Sequence, residues 1–241
     1  MLLRFFYTRA IAINAGNGCV RVRLRTRTRT ACFWHTADRM NERSVVFVAG
    51  ILCAASAHAS DYVLDPVHTQ VFACASHIGF STPCARFKIK SGFFHFDDSH
   101  WSTATVDATV DTTSIDLGDP KWDSAVRSWE FLESNKYPDA RFVSGSAEMS
   151  TGKSGIVHGK LTMRGVTRNL DLHVTFNRAG LDPYDLRYTA GFSATATLKR
   201  SDFGMRKYLP DIGDAVTIRI EAEGLRGKPE PAHTAPAQPE S

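Results

Sequence analysis

Residues 190–198 read Ala190-Gly191-Phe192-Ser193-Ala194-Thr195-Ala196-Thr197-Leu198, with an apolar side chain at every second position. Strict alternation is typical of a β-strand that buries one face and exposes the other to water. The same period returns in four further stretches, at residues 87–93, 104–110, 170–176 and 216–222. Since the intervening positions are polar and Gly, Pro and Asp separate the stretches, the pattern predicts an antiparallel, all-β domain.

The apolar positions of this alternation are unusually rich in alanine: Ala73, Ala75, Ala104, Ala108, Ala190, Ala194, Ala196 and Ala222. A barrel of eight strands is just wide enough to be filled by its own side chains or to hold one small ligand. Small inward side chains favour the second outcome, so we predict a barrel with a hollow lumen. The alternative that these alanines let two sheets of a sandwich approach closely stays open at this point.

One segment is predicted to be helical. Asp119 is a favourable N-cap and Pro120 a favourable first-turn residue. Apolar side chains then recur at helical spacing, at Trp122, Ala125, Val126, Trp129 and Leu132. We expect the helix to end near Asn135, either as a short lid near one mouth of the barrel or as a surface helix packed on the sheet.

The formal charge of +4 is distributed unevenly. Residues 1–59 contain nine Lys/Arg against two acidic residues, which leaves 20 basic and 23 acidic residues in the remainder. Residues 60–241 are therefore mildly acidic and lack the clustered cations that bind the phosphate backbone of nucleic acids. No nucleic-acid partner is expected.

The N-terminal region has the pattern of a secretory signal peptide. From Met40, a short charged region precedes an apolar stretch at 45–55 and the cleavage pattern Ala57-His58-Ala59. We therefore expect export to the periplasm and no stable membrane insertion after the signal is removed. The Arg-rich residues 21–29 could also be an organelle transit sequence or a nucleic-acid arm. The predicted organisation is a mis-annotated upstream extension (1–39), a signal peptide (40–59), a barrel (60–225) and a disordered Pro/Ala-rich tail (226–241).

Two cysteines, Cys74 and Cys84, remain after the signal peptide. An even pair in an oxidising compartment is compatible with a disulfide, although the pattern leaves open whether the two are close enough to bond. A catalytic or redox-active thiol is the weaker alternative, because no Cys-x-x-Cys motif surrounds either residue.

Motifs for catalysis are absent from the sequence. It has no Gly-x-Ser-x-Gly elbow, no phosphate-binding loop and no His-Glu-x-x-His pair. His95 and His100 flank Asp97 and Asp98, but this spacing is more typical of a solvated turn than of a metal site. We predict no enzyme activity, no metal and no cofactor.

Eight short motifs stand in order along the chain: Asp65-Pro66-Val67-His68-Thr69, His77-Ile78-Gly79-Phe80, Ser114-Ile115-Asp116, Asp123 with Arg127-Ser128 and Phe131, Lys136-Tyr137-Pro138, Phe142 with Ser144, Gly159-Lys160-Leu161-Thr162 with Gly165-Val166-Thr167, and Arg200-Ser201-Asp202-Phe203-Gly204-Met205. Together they resemble the YceI-like polyisoprenoid-binding family over about residues 61–224. The resemblance implies a lipocalin-like barrel of eight antiparallel strands in the periplasm. It also implies that the lumen holds a polyprenyl chain, such as a quinone precursor or a prenyl pyrophosphate.

The expected function is carriage of an isoprenoid lipid without chemistry. Inward alternation and the resemblance together place the following residues in the lumen: Val71, Ala73, Ala75, Phe87, Ile89, Phe93, Val106, Ala108, Val110, Phe142, Leu161, Leu172, Val174, Phe192, Ala194, Ala196, Leu198 and Ile218.

The resemblance further implies a polar rim of His77, Asp123 and Arg127, although Asp123 and Arg127 could equally pair with each other along the helix. His68 and Arg200 are expected to organise turns. A ligand-free structural or stress-associated barrel and a redox accessory protein remain the alternatives, and a homodimer stays open.

Overall fold

The computed structural model describes residues 59–228, together with the backbone of three short strands near the N-terminus. These strands, β1 (Ala12–Ala15), β2 (Cys19–Leu24) and β3 (Arg27–Thr30), form an antiparallel sheet within a unit of their own, Met1–Ala55. The predicted signal peptide up to residue 58 and the predicted tail beyond residue 228 lie outside the described residues.

Within residues 59–228, the second unit contains nine strands, one α-helix and two 3-10 helices. The strands are β4 (Ser60–Leu64), β5 (Gln70–His77), β6 (Cys84–Phe96), β7 (Thr105–Asp116), β8 (Asp139–Thr151), β9 (Ser154–Met163), β10 (Val166–Leu181), β11 (Tyr188–Lys199) and β12 (Ile212–Arg226). The helices are α1 (Pro120–Arg127) and the 3-10 helices Trp101–Thr103 and Arg200–Phe203.

These strands close into a barrel with eight strand positions. β4 and β5 share one position, because each pairs antiparallel with β6 on one side and with β12 on the other. The other strands follow in chain order, and β12 also pairs with β11. The predicted eight-stranded antiparallel barrel is therefore confirmed, and its closed ladder leaves no long open edge.

The first of the eight motifs forms the break between β4 and β5. The Asp65 carboxylate accepts hydrogen bonds from the Val67 amide at 2.8 Å and from Nδ1 of His68 at 2.7 Å, while the Thr69 amide donates to the Asp65 carbonyl. Burial alone would raise the pKa of Asp65, but the hydrogen bonds from His68 and Val67 lower it. His68 thus organises a turn.

A register shift in β6 changes the predicted alternation. Before it, Phe87 and Ile89 are buried; the pairing with β7 then shifts between Ile89 and Ser91, so that Phe94 and Phe96 are buried instead. The prediction that Phe93 lies in the lumen is therefore wrong: its side chain is 39% exposed on the outer face.

Close to this register shift, Gly92 of β6 packs directly against Leu64 and the backbone of β7. A Cβ atom there would lie 2.5 Å from Cδ1 of Leu64 and 3.1 Å from the Asp107 carbonyl oxygen. Only glycine fits without displacing these neighbours.

The α-helix begins as predicted and ends earlier than predicted. Oδ1 of Asp119 caps it by accepting from the amides of Lys121 and Trp122. It ends at Arg127, because the next residue, Ser128, is extended. Trp129 therefore lies in a turn with an exposed side chain, and not on the helical stripe.

The barrel also extends one residue beyond the predicted boundary. Arg226 belongs to β12, pairs with Tyr62 of β4, and places its guanidinium 3.6 Å from the centroid of the Tyr188 ring. The amide of Gly227 adds a hydrogen bond to the Asp61 carbonyl.

Two different ends result from this topology. At the helix end, where β5, β7, β9 and β11 end, α1 follows β7. Near the opposite end, an aromatic floor packs across the interior with ring centroids 4.8–5.3 Å apart; it consists of Phe94, Phe96, Trp101, Phe176 and Phe192. The barrel is thus packed with rings at one end, and a short helix lies beside its opening at the other.

Candidate ligand-binding lumen

A cavity of about 480 Å³ runs through the barrel from the aromatic floor to the helix end. Phe94 and Phe96 line it at the floor, and Trp122 and Tyr208 line it at the helix end. Nearly all of its wall is carbon. Its volume lies in the range of pockets that enclose small ligands.

Most of the residues predicted to face the lumen line this cavity. They are Val71, Ala73, Ala75, Phe87, Ile89, Val106, Ala108, Val110, Phe142, Leu161, Leu172, Val174, Phe192, Ala194, Leu198 and Ile218. Phe93 does not, because of the register shift described above. Ala196 does not either: it is buried in a small cluster with Phe142, Val157 and Leu172, whose larger side chains fill that part of the interior.

Alanines contribute much of the open volume. Six of the eight predicted inward alanines line the cavity, namely Ala73, Ala75, Ala104, Ala108, Ala194 and Ala222. The other two, Ala190 and Ala196, are packed against neighbouring side chains and lie outside it. A methyl group at six wall positions leaves space that Leu or Phe would occupy, which is why the interior is not solid.

Sequence patterns missed the residues that form the wall at the helix end. Phe131 and Leu132, in the turns after α1, are buried and line the cavity. In the loop before β12, the buried Met205 and the half-exposed Tyr208 also line it. Irregular segments have no period, so alternation could not place them. Two adjacent apolar residues in a turn, as at Phe131 and Leu132, were the available signal.

Of the three predicted rim residues, only His77 lines the cavity, with its ring centroid 5.5 Å from that of Trp122 on α1. Asp123 and Arg127 belong to the helix beside the opening but do not line the cavity, because both bond to the backbone near the end of β7. Oδ1 of Asp123 accepts from the Leu117 amide at 2.8 Å, and Nη1 of Arg127 donates to the Thr113 carbonyl at 3.5 Å. These two residues fix the helix on the barrel, and their contact with a ligand stays a prediction.

Arg200 is the one arginine of the cavity wall in the described part of the chain, and it is 3% exposed. Burial lowers the pKa of its guanidinium, and the nearby carboxylate of Asp214 opposes this shift. The guanidinium donates to four backbone carbonyls, those of Met205, Lys207, Ile212 and Gly213. Because these carbonyls lie along the loop before β12, Arg200 fixes this loop, which forms one side of the opening. Arg200 also lines the cavity.

The fold and lumen can now be compared with known proteins. The model of the YceI-like domain matches residues 62–224. The chain belongs to the YceI-like family.

Curated relatives match this YceI-like protein over nearly their whole length. A UPF0312 protein of Shewanella baltica is 33% identical over 185 residues, which cover 76% of this chain and 96% of the relative. A UPF0312 protein of Pseudomonas savastanoi is 34% identical over 180 residues, 74% of this chain and 93% of the relative.

Solved structures share the YceI-like barrel. BcnA of Burkholderia cenocepacia superposes with a TM-score of 0.60 at 26% identity, over 66% of this chain and 98% of BcnA. A polyisoprenoid binding domain from Saccharophagus degradans has a TM-score of 0.51 at 15% identity, over 70% of this chain and all of that domain. The second likeness concerns the fold alone.

A disulfide joins Cys74 and Cys84 in the YceI-like barrel. The two residues face each other in the ladder of β5 and β6, with Cα atoms 4.0 Å apart. The bond crosses the pair of strands whose connecting hairpin reaches the opening beside His77.

The two histidines considered above for a metal site each bond to one carboxylate. His95 bonds to Asp61 and His100 to Asp97, at 2.7 and 3.1 Å. Within residues 59–228, no three His, Cys, Asp or Glu side chains converge as metal ligands would. In the same part of the chain, no helix has the length and apolar character needed to cross a bilayer.

Proposed function

We propose that this protein carries a long apolar isoprenoid lipid in the barrel lumen, in the periplasm, without chemical change to the lipid. One observation carries the proposal: the apolar interior is not filled by the protein's own side chains, and leaves about 480 Å³. A wall of this composition fits a hydrocarbon chain and offers few partners to a polar guest.

Burial of a hydrocarbon chain in the lumen is favourable. Each methylene that moves from water to the apolar wall contributes about 0.8 kcal/mol, so a few isoprene units suffice for tight binding.

The two ends of the lumen suggest an orientation for the guest. At the floor, Phe94 and Phe96 present ring surfaces that suit the end of an isoprenoid tail. At the helix end, His77 and Tyr208 supply groups that can form hydrogen bonds to a headgroup. The polyprenyl headgroup, whether of a quinone precursor, an alcohol or a pyrophosphate, would then lie at the opening.

The fold is compatible with this class of ligand, because the polyisoprenoid binding domain of Saccharophagus degradans shares it. The signal-peptide pattern that ends at Ala59 supports a periplasmic carrier.

Organic extraction of the natively purified protein, followed by mass spectrometry, tests the proposal. We expect one class of lipid with isoprene-unit mass spacing, at a stoichiometry near one per chain. Recovery of no lipid, together with no uptake of added geranylgeraniol, would leave the barrel as a ligand-free structural protein and overturn the proposal.

A further inference from the structure

Three segments surround the opening at the helix end, and we call them the mouth rim: residues 78–83, 119–133 and 204–211. The Ile78 amide donates to the Asp211 carbonyl at 2.7 Å, which joins the first segment to the third. The rings of Phe131 and Tyr208 lie 6.1 Å apart and join the second to the third. The mouth rim is therefore one continuous surface around the entrance to the lumen.

The outer side of the mouth rim is apolar. Its exposed large side chains are Ile78, Phe80, Trp122, Trp129, Tyr208 and Leu209, with Phe80 89% and Trp129 70% exposed. Single exposed apolar residues are ordinary, but a cluster from three neighbouring segments marks an interaction surface. Trp and Tyr are also the side chains enriched where protein meets the headgroup layer of a membrane.

Charges on the mouth rim favour a phospholipid surface as the partner. Four of its five carboxylates have partners within the protein: Asp119 and Asp123 accept backbone amides, Glu130 pairs with Lys207, and Glu133 with Arg164. The fifth, Asp211, is exposed, as are two cations, Lys121 and Arg206. Cations beside exposed aromatic rings complement lipid phosphates above an acyl layer.

We propose that the mouth rim docks on the surface of a phospholipid bilayer, so that the opening of the lumen faces the acyl chains. This inference rests on the proposed function, because a bilayer is the phase in which an isoprenoid lipid dissolves. Docking allows the lipid to pass from acyl chains to the apolar lumen without crossing water.

Exposed apolar residues also occur at the opposite end of the barrel, but a lipid could not enter the lumen from there. Tyr184 and Leu186, in the loop between β10 and β11, are 95% and 72% exposed. The aromatic floor separates this end from the lumen, so a membrane bound there would have no passage to the cavity. These two residues therefore provide a matched control.

The test compares the wild-type protein with a rim variant, Phe80→Ser with Trp129→Ser, and a control variant, Tyr184→Ser with Leu186→Asn. The Trp129 carbonyl, and not its side chain, accepts from Arg164, so that hydrogen bond survives the substitution. Asn tolerates the positive φ of Leu186. Flotation with phosphatidylcholine vesicles containing one-fifth phosphatidylglycerol measures docking, and uptake of geranylgeraniol from dilute solution measures the lumen separately.

We expect the wild-type protein and the control variant to float with vesicles. The rim variant should bind them on the order of 100-fold more weakly, about tenfold for each large side chain removed. All three should take up geranylgeraniol equally from solution.

Other outcomes separate the two proposals. Uptake of geranylgeraniol without vesicle binding by the wild type, or equal vesicle binding by the rim variant, overturns docking and leaves the carrier function intact. Vesicle binding without uptake by any variant overturns the carrier function instead. A wild-type dimer that the rim variant converts to a monomer, with no vesicle binding, shows that a second copy covers the mouth rim and also overturns docking.

Discussion

Ala194→Phe should block the lumen while leaving the barrel folded. Ala194 lies in β11 opposite Val174 of β10 and Ile220 of β12, and all three side chains line the cavity. A ring at this position enters open space, so it avoids the overpacking that strains a solid core. The free energy of unfolding of the unliganded protein should therefore be unchanged or slightly raised.

The loss of affinity follows from the space that the ring occupies. It adds six carbon atoms, about the size of one isoprene unit of five carbons. Excluding one unit removes about five buried carbon atoms at about 0.8 kcal/mol each, or about 4 kcal/mol, which weakens Kd about 1,000-fold. This is an upper value, because a flexible chain can shift toward the opening and recover part of its contacts.

Titration with geranylgeraniol, together with urea unfolding, measures both effects. Thr195→Phe is the matched control, since Thr195 is the next residue of β11 and faces solvent. Ala196→Phe provides a second comparison: it should destabilise the fold by about 1–3 kcal/mol, because Ala196 is packed between larger side chains. An Ala194→Phe protein that folds normally and keeps wild-type affinity would refute the placement of the lipid in the lumen.

Three further predictions concern stability. Arg200→Met should lower the free energy of unfolding by about 3 kcal/mol or more in urea titration, because it leaves buried carbonyls without a donor, whereas the exposed Arg206→Met should change little. Reduction of the disulfide that joins β5 to β6 should cost about 2–3 kcal/mol, since it frees a loop with a sequence separation of 10; an unchanged urea midpoint in reductant would contradict this. The hydrogen bond that His68 donates to the Asp65 carboxylate raises the pKa of His68. The contribution of this pair to stability is therefore complete below the ordinary imidazole pKa of about 6.5 and is lost as pH rises through the raised value. Thermal unfolding of His68→Gln should therefore differ from wild type most near pH 5 and least above pH 8, and a gap that widens with pH would show the opposite linkage.

Strand alternation predicted the antiparallel, all-β domain, because each strand buries one face and that requirement recurs at every second residue. The eight-stranded barrel was implied by the resemblance to the YceI-like family. Alternation identified the inward alanines of β11 and β12, such as Ala194 and Ala222, before any coordinates. The start of α1 could also be predicted from the sequence, because an N-cap is a local interaction between Asp119 and the amides of the next few residues. These features depend on neighbours in sequence, so the sequence by itself determined them.

Tertiary structure decided what depends on neighbours in space. The register shift at Ile89 exchanged Phe93 for Phe94 in the interior, because the pairing of β6 with β7 sets which face turns inward. The opening is built from turns that have no period, and its Arg200 contacts depend on where the loop before β12 returns. Whether a wall of small residues leaves a cavity or closes up is likewise a property of the closed cylinder, since strand number and tilt, and not local pattern, set its width.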